Sequence, residues 1–269
     1  YTVVTPFIPR PEYRTSSWLS GGKQCYKILP SPPFTKEGGQ FFPLCIRGIE
    51  GDFTESIRRF LMRGGTARSA MAKKIIAITG SYRKGGIIER AVEAVLKAAA
   101  ERGAETETIR LMDRPVEFCL NCRACTQQEG PQRGPCVHRD GMAEILDRIE
   151  AADGIVLASP VNFFGVTAVT QRFIERLVCY AFWPWGKPGP GLRVKDRGLK
   201  AVLVTSSAMP AALGRVFTRS LAGLKRAAQT LGAKPAGTLF VGTAALHERQ
   251  ELPQAVLEKA RKLGHELAR

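Results

Sequence analysis

GIVLASP, at residues 154–160, carries no charge and runs almost wholly apolar up to its closing proline. A strand with one wet face alternates apolar and polar side chains. An unbroken apolar run is dry on both faces, as in a parallel sheet covered by helices on both sides. KKIIAITG (73–80), LKAVLVTSS (199–207) and AGTLFVG (236–242) read the same way, and ETETIRL (105–111) alternates like a strand. Between these runs the apolar period changes from two to about 3.6, which marks helices. Ile88, Val92, Val95 and Ala99 mark the first, over 87–102. Met142, Ile145, Leu146 and Ile149 mark the second, with Asp140 as a plausible N-cap. Val166, Val169, Phe173 and Leu177 mark the third, and Leu213, Phe217, Leu224 and Leu231 the fourth. Leu252, Val256, Ala260, Leu263 and Leu267 form the stripe of a closing helix.

Strand and helix therefore alternate five times over about 200 residues, a doubly wound α/β pattern in three layers. Right-handed crossovers leave few topologies, and a five-stranded parallel sheet in the flavodoxin-like order 2-1-3-4-5 suits this one. In such a sheet, ligands bind beyond the carboxyl ends of the strands, where the first and third strands diverge.

Residues 1–70 are different. They hold 7 of the 17 prolines and 8 of the 27 glycines, and no segment keeps a period for long. SPPFTKEGG and RGIEGDF are turn chemistry. The chain opens on Tyr1, whereas MAKKIIAITGS, from Met71, looks like a protein start. PPFTKEGGQFFPLCIRGIEGDF also resembles the peptide obtained when a bacterial interspersed repeat is translated by mistake. Residues 1–70 are thus expected to be a disordered extension or a mistaken N-terminus, with a single domain over 71–269. Cys25 and Cys45 carry no inference.

The formal net charge is +16: residues 1–70 hold 10 basic and 5 acidic residues, and residues 71–269 hold 30 and 19. The charges are scattered, with neither a basic stripe interleaved with aromatics nor zinc-finger spacing, so nucleic acid is not an expected partner. No apolar run approaches the roughly 18–20 residues that cross a bilayer. The N-terminus lacks the layout of a signal peptide. A cytoplasmic protein with reduced thiols and no membrane partner is expected.

The chemistry gathers at the strand ends. The first strand ends in GSYRKGG (80–86) and opens a helix. Helix N-terminal N–H groups, with Ser81 and Arg83 or Lys84, suit a phosphate, although the stretch is neither GxGxxG nor a P-loop. SPVNFFG (159–165) offers backbone polar groups and aromatic faces to a flat ligand. TSSAMP (205–210) supplies small hydroxyls. Four of the seven cysteines lie in CLNCRACTQQEGPQRGPC (119–136), spaced C-x2-C-x2-C-x10-C. Cys119, Cys122 and Cys125 can converge from one tight turn, and Cys136 can close a four-thiolate shell. An iron–sulfur cube, a tetrahedral zinc ion, and free thiols or a redox pair all remain open on spacing alone. His138 is placed at the entry of the next helix, and Cys179 in the core.

GSYRKGG, SPVNFFGVTAVTQRFIER and CLNCRAC…CVHRDGM together resemble the NADPH-dependent FMN reductase family, in its iron–sulfur flavoprotein branch, over nearly all of 71–269. The resemblance implies a flavodoxin-like fold, bound FMN and NAD(P)H or a ferredoxin as electron donor. It implies that Gly80, Ser81, Arg83 and Gly86 hold the FMN phosphate. Pro160, Val161, Asn162, Phe163 and Gly165 would line the isoalloxazine, and Thr205, Ser206 and Ser207 would close its far side. Cys119, Cys122, Cys125 and Cys136 would ligate a [4Fe–4S] cluster, although the gap before the fourth cysteine is longer than the family's usual one. Ile87 and Ile88 stand where the family often has Asn and a hydroxyl residue, and Asn162 where it often has Tyr. The implied activity is electron transfer to an acceptor the sequence does not name, by a homodimer or homotetramer. The alternatives are a cluster-free FMN or quinone reductase and a cofactor-free binding module. Trp183 and Trp185, in FWPWGKPGPG (182–191), are expected to cover the flavin or fill a subunit interface.

Overall fold

A computed structural model describes residues 15–20, 23–28, 72–247 and 250–269. The chain divides into two compact units, Tyr1–Gly65 and Thr66–Arg269. In the first, β1 (Thr15–Ser20) and β2 (Lys23–Ile28) pair antiparallel, with Thr15 opposite Ile28. The sequence marks no strand there. The other expectations for 1–70 lie outside the described residues.

The second unit runs β3 (Lys74–Thr79), α1 (Ile87–Ala100), β4 (Glu105–Arg110), α2 (Met142–Glu150), β5 (Gly154–Pro160) and α3 (Ala168–Arg176). It continues through a short excursion bearing β6 (Ala181–Phe182) and β7 (Gly191–Leu192). β8 (Leu199–Ser206), α4 (Ala211–Phe217), α5 (Ser220–Thr230), β9 (Ala233–Val241) and α6 (Gln254–Leu267) complete it. The five long strands form one parallel sheet in the order β4-β3-β5-β8-β9. Counted among themselves they read 2-1-3-4-5, the flavodoxin-like order expected.

The apolar strands are dry because each face meets its own layer of helices. Ile75, Ala77, Val156, Ala158, Val202 and Val204 pack with Val92 and Val95 of α1 and Ala260 and Leu263 of α6. Their neighbours Ile76, Ile78, Ile155, Leu157, Ala201 and Leu203 point the other way, onto Ile145 of α2, Phe173 of α3 and Leu224 of α5. Each such fully buried branched side chain contributes about 1.5–3 kcal/mol. β4 is an edge strand and stays largely wet: of its six residues only Ile109 is buried.

Two local expectations change. The stripe of Leu213, Phe217, Leu224 and Leu231 belongs to two helices: the chain breaks at Thr218, leaving Leu213 and Phe217 exposed and Leu224 and Leu231 buried. The N-cap of α2 is Gly141 rather than Asp140. The Asp140 carboxylate does accept from the Met142 N–H (3.1 Å), but it chiefly faces an arginine.

Candidate functional site

β3, β5 and β8 end side by side, and a cavity of about 430 Å³ opens there. It lies where the chain, having placed β4 on one side of β3, places β5 on the other. Ser81, Arg83, Gly86, Pro160, Val161, Asn162, Ser206 and Ser207 line it, eight of the twelve residues expected at a cofactor. The β3–α1 loop is a local turn: the Ser81 hydroxyl accepts from the Arg83 N–H (3.3 Å) and donates to the Arg83 carbonyl (3.2 Å). Gly86 caps α1 without any side-chain bond to the first helical N–H groups. Those donors have no intrahelical partner, and Ile87 and Ile88 at the same terminus line the cavity, so an anion is well served there. Ile88 is also sunk in the core, which explains why an apolar side chain stands in this first helical turn.

The other four expected residues sit apart from the cavity wall. Gly80 lies behind the loop, where an added Cβ would fall 1.8 Å from the Thr170 hydroxyl, so only glycine lets the loop lie flat. Thr205 is fully buried, and its hydroxyl pairs with that of Ser220 (3.0 Å). Asn162 and Gly165 pair with each other across a two-residue turn (2.9 and 3.0 Å). Phe163 and Phe164 form the tip of that turn with φ of 44° and 60°. Phe163 is 99% exposed and is not part of the cavity wall it was expected to line.

Thr167 was not singled out from the sequence. Its hydroxyl donates to the Gly80 carbonyl (2.8 Å), accepts from the Thr170 N–H (3.3 Å) as the cap of α3, and also lies 2.8 Å from the Thr170 hydroxyl. The Thr167 N–H bonds Ser159 (3.0 Å). One buried threonine thus ties the β3–α1 loop to the end of β5. A threonine just ahead of a periodic apolar run is a cap signal that could have found it. Tyr82, Ala244, His247 and Gln250 also line the cavity, the last three from the loop after β9, where no pattern marked them.

The four cysteines of 119–136 line one recess, with Arg123, His138 and Arg176 beside them. All are free thiols. Asn121 and Arg123 adopt left-handed backbone (φ 51° and 59°), which turns the chain sharply between successive cysteines. The ten-residue gap closes because Gly134 packs against the Cys125 carbonyl, where a Cβ would fall 1.7 Å from the oxygen. Burial and the neighbouring Cys136, Cys119 and Cys122 sulfurs push the Cys125 thiol up to about 11. Cys179 lies in the core as expected, and burial pushes it to about 12. Among the described residues no three His, Cys, Asp or Glu groups are gathered closely enough to hold a single metal ion.

Both ends of the cysteine loop are pinned by one buried ion pair. Arg176, the last residue of α3, reaches Asp140 (2.7 and 3.1 Å), the Glu117 carbonyl (2.8 Å) and the Cys136 sulfur (3.5 Å). Asp140 also accepts from the Glu117 N–H (2.7 Å). Burial alone would raise the Asp140 pKa, but Arg176 and the two N–H donors outweigh it and hold the carboxyl below its usual range. On the far side of Cys136 lies a further cavity of about 660 Å³. Arg133 there is already paired with Asp147 and Glu150, so it offers no free charge to a ligand.

The profile of the NADPH-dependent FMN reductase family matches residues 73–216, more than half of the chain. The chain belongs to that family. The family match takes in the ends of β3, β5 and β8 and the whole cysteine loop, and stops short of the loop after β9 that completes the cavity wall. Three curated relatives are named iron–sulfur flavoproteins. That of Archaeoglobus fulgidus is 34% identical over 111 residues, 41% of this chain and 48% of the relative. That of Methanocaldococcus jannaschii is 40% identical over 103 residues (38% and 51%). That of Methanosarcina thermophila is 39% identical over 105 residues (39% and 52%). The chain therefore spans about half the length of the curated relatives it matches. Among solved structures, an FMN-dependent NADH-azoreductase of Bacillus anthracis in complex with FMN superposes with a TM-score of 0.56 at 16% identity, covering 73% of this chain and 100% of that one. An NAD(P)H:quinone oxidoreductase of Methanothermobacter marburgensis gives 0.55 at 18% identity, covering 73% and 99%. Both share the fold of this family member. Among the described residues no helix is long and apolar enough to cross a membrane.

Proposed function

We propose that this FMN reductase family member binds FMN in the cavity at the strand ends and a [4Fe–4S] cluster in its cysteine loop. In this role it passes electrons between NAD(P)H or a ferredoxin and an acceptor in the cytoplasm. The observation that carries the proposal is the placing of four cysteines around one recess, on a chain whose family cavity offers uncapped helix donors. The donor sets suit both groups. Four thiols match the all-cysteine ligation of a cube, and a four-iron centre holds its ligands further apart than one zinc ion does. FMN accepts a hydride when bound, and a cluster carries single electrons.

The chain's own part is to bind and orient. Ser81, Arg83, Gly86 and the first N–H groups of α1 hold the phosphate, with Gly80 letting the loop lie flat. Pro160, Val161 and Asn162 would face the flavin from the cavity wall, while Gly165 holds Asn162 through the paired turn whose tip, Phe163, stays outside that wall. Ser206 and Ser207 close the far side, with Thr205 anchoring them from the core. Cys119, Cys122, Cys125 and Cys136 are the cluster ligands. Phe163, Phe164, Leu213, Val216 and Phe217 are exposed, an apolar surface that favours association of two or four copies. A fluorescence titration with FMN tests the binding, and anaerobic NADPH oxidation with a ferredoxin or a quinone tests the direction of transfer. FMN binding with turnover supports the proposal. No FMN uptake would leave a cofactor-free binding module, the outcome Ile87 and Ile88 favour.

A further inference from the structure

The excursion between α3 and β8 does not line the flavin cavity; it grips the cysteine loop. Arg123, between Cys122 and Cys125, lies between two indoles, 3.7 Å from the Trp183 ring centroid and 4.2 Å from that of Trp185. Its Nη2 donates to the Trp183 carbonyl (2.6 Å) and the Pro184 carbonyl (3.1 Å). The Trp183 N–H donates to the Thr126 carbonyl (2.9 Å), and Gln127 accepts from the Trp185 N–H (3.1 Å). From the same excursion Arg193 donates to the carbonyls of Cys125 (3.1 Å) and Gly130 (3.0 Å).

A planar guanidinium can stack on rings with both faces while its edge donates to carbonyls, and an ammonium cannot. The grip also answers a local cost. A non-glycine residue in the left-handed region is strained and persists only when its surroundings hold it there. Arg123, with φ 59°, sits at the turn that aims two of the four thiols.

We propose that Arg123 is the positioning residue of the four-cysteine centre. Clamped by Trp183 and Trp185, it fixes the turn carrying Cys122 and Cys125 before any metal arrives, and it sets a positive charge beside the ligands. The inference rests on the four cysteines holding an iron–sulfur centre. It gives the tryptophan excursion a role at that centre and none over the flavin.

The full-length chain, wild type and variant, is reconstituted anaerobically with ferrous iron and sulfide. Iron loss to a ferrous chelator, the reduction potential of the centre and FMN binding are then measured, with amide hydrogen exchange over 119–127 on the metal-free protein. Arg123→Ala is expected to speed iron loss on the order of tenfold, as loss of an outer partner of metal ligands does. It should also speed exchange in 119–127 and leave FMN binding intact. Arg123→Gln keeps a planar group but removes the charge, and is expected to lower the reduction potential. Trp185→Phe keeps a ring face and should stay close to wild type. Iron loss and exchange unchanged in Arg123→Ala would overturn the inference. A wild-type protein that takes up no iron would overturn the cluster reading itself, and with it any role for Arg123 beyond holding the loop.

Discussion

Two buried contacts carry most of the chemistry at the residue scale. Thr167 holds the Gly80 carbonyl, and replacing it with valine keeps the size but leaves that buried acceptor unpaired. Thr167→Val is expected to cost about 1–3 kcal/mol in chemical denaturation and to weaken FMN binding in a fluorescence titration. The second contact is Arg176 with Asp140, both nearly dry, with side chains 3% and 7% exposed. Removing one partner strands the other, so Asp140→Ala should cost about 3–5 kcal/mol and free both ends of the cysteine loop. The pair also sets a pH dependence. The carboxyl is held below its usual value, so the ionised form is favoured in the folded protein. Its contribution is present above the ordinary carboxylate pKa and is lost as the pH falls through the lower native one. Denaturation followed from neutral pH into the acid range should show this loss, and Asp140→Asn should lack it. None of this was legible as such. Asp140 read as a helix cap because an Asp two residues before an apolar stripe usually is one; its true partner lies 36 residues away.

At the element scale the sequence was clear where a period ran long and silent where a turn decided the contacts. α1 and the buried strands follow their patterns closely. The Asn162–Gly165 turn gave no such signal. A two-residue turn with both central residues at positive φ calls for Asn and Gly, and Phe163 and Phe164 pay a steric cost there. Replacing the pair by Asn-Gly is expected to stabilise the fold by about 1 kcal/mol or more in denaturation. The same change should weaken self-association in sedimentation, since it removes the most exposed aromatic among the described residues. A variant that gained neither stability nor monomer would argue against strain held for an interface. The tryptophan excursion was likewise visible as a motif but not as a clamp, because its partner Arg123 lies about 60 residues upstream. Only the fold brings the two stretches together.

For the whole molecule, the alternation of dry strands with helices was enough to give the sheet order, because right-handed crossovers leave little choice. It also pointed to the ends of β3, β5 and β8, where the structure has a cavity and where the sheet's connections diverge. Which residues reach that cavity depended on packing behind the loops. Gly80 and Thr205 support the wall and Ser81 and Ser206 form it, a distinction that no spacing carries. The central claim is that one chain holds both a flavin and a four-cysteine iron–sulfur centre. The most direct test is an anaerobic absorption spectrum of the full-length protein after reconstitution, with iron, acid-labile sulfide, zinc and flavin assayed on the same sample. About four irons and four sulfides per chain together with one FMN are expected. FMN with zinc, or FMN with no metal, would contradict the cluster, and a colourless protein that takes up neither group would contradict the claim as a whole.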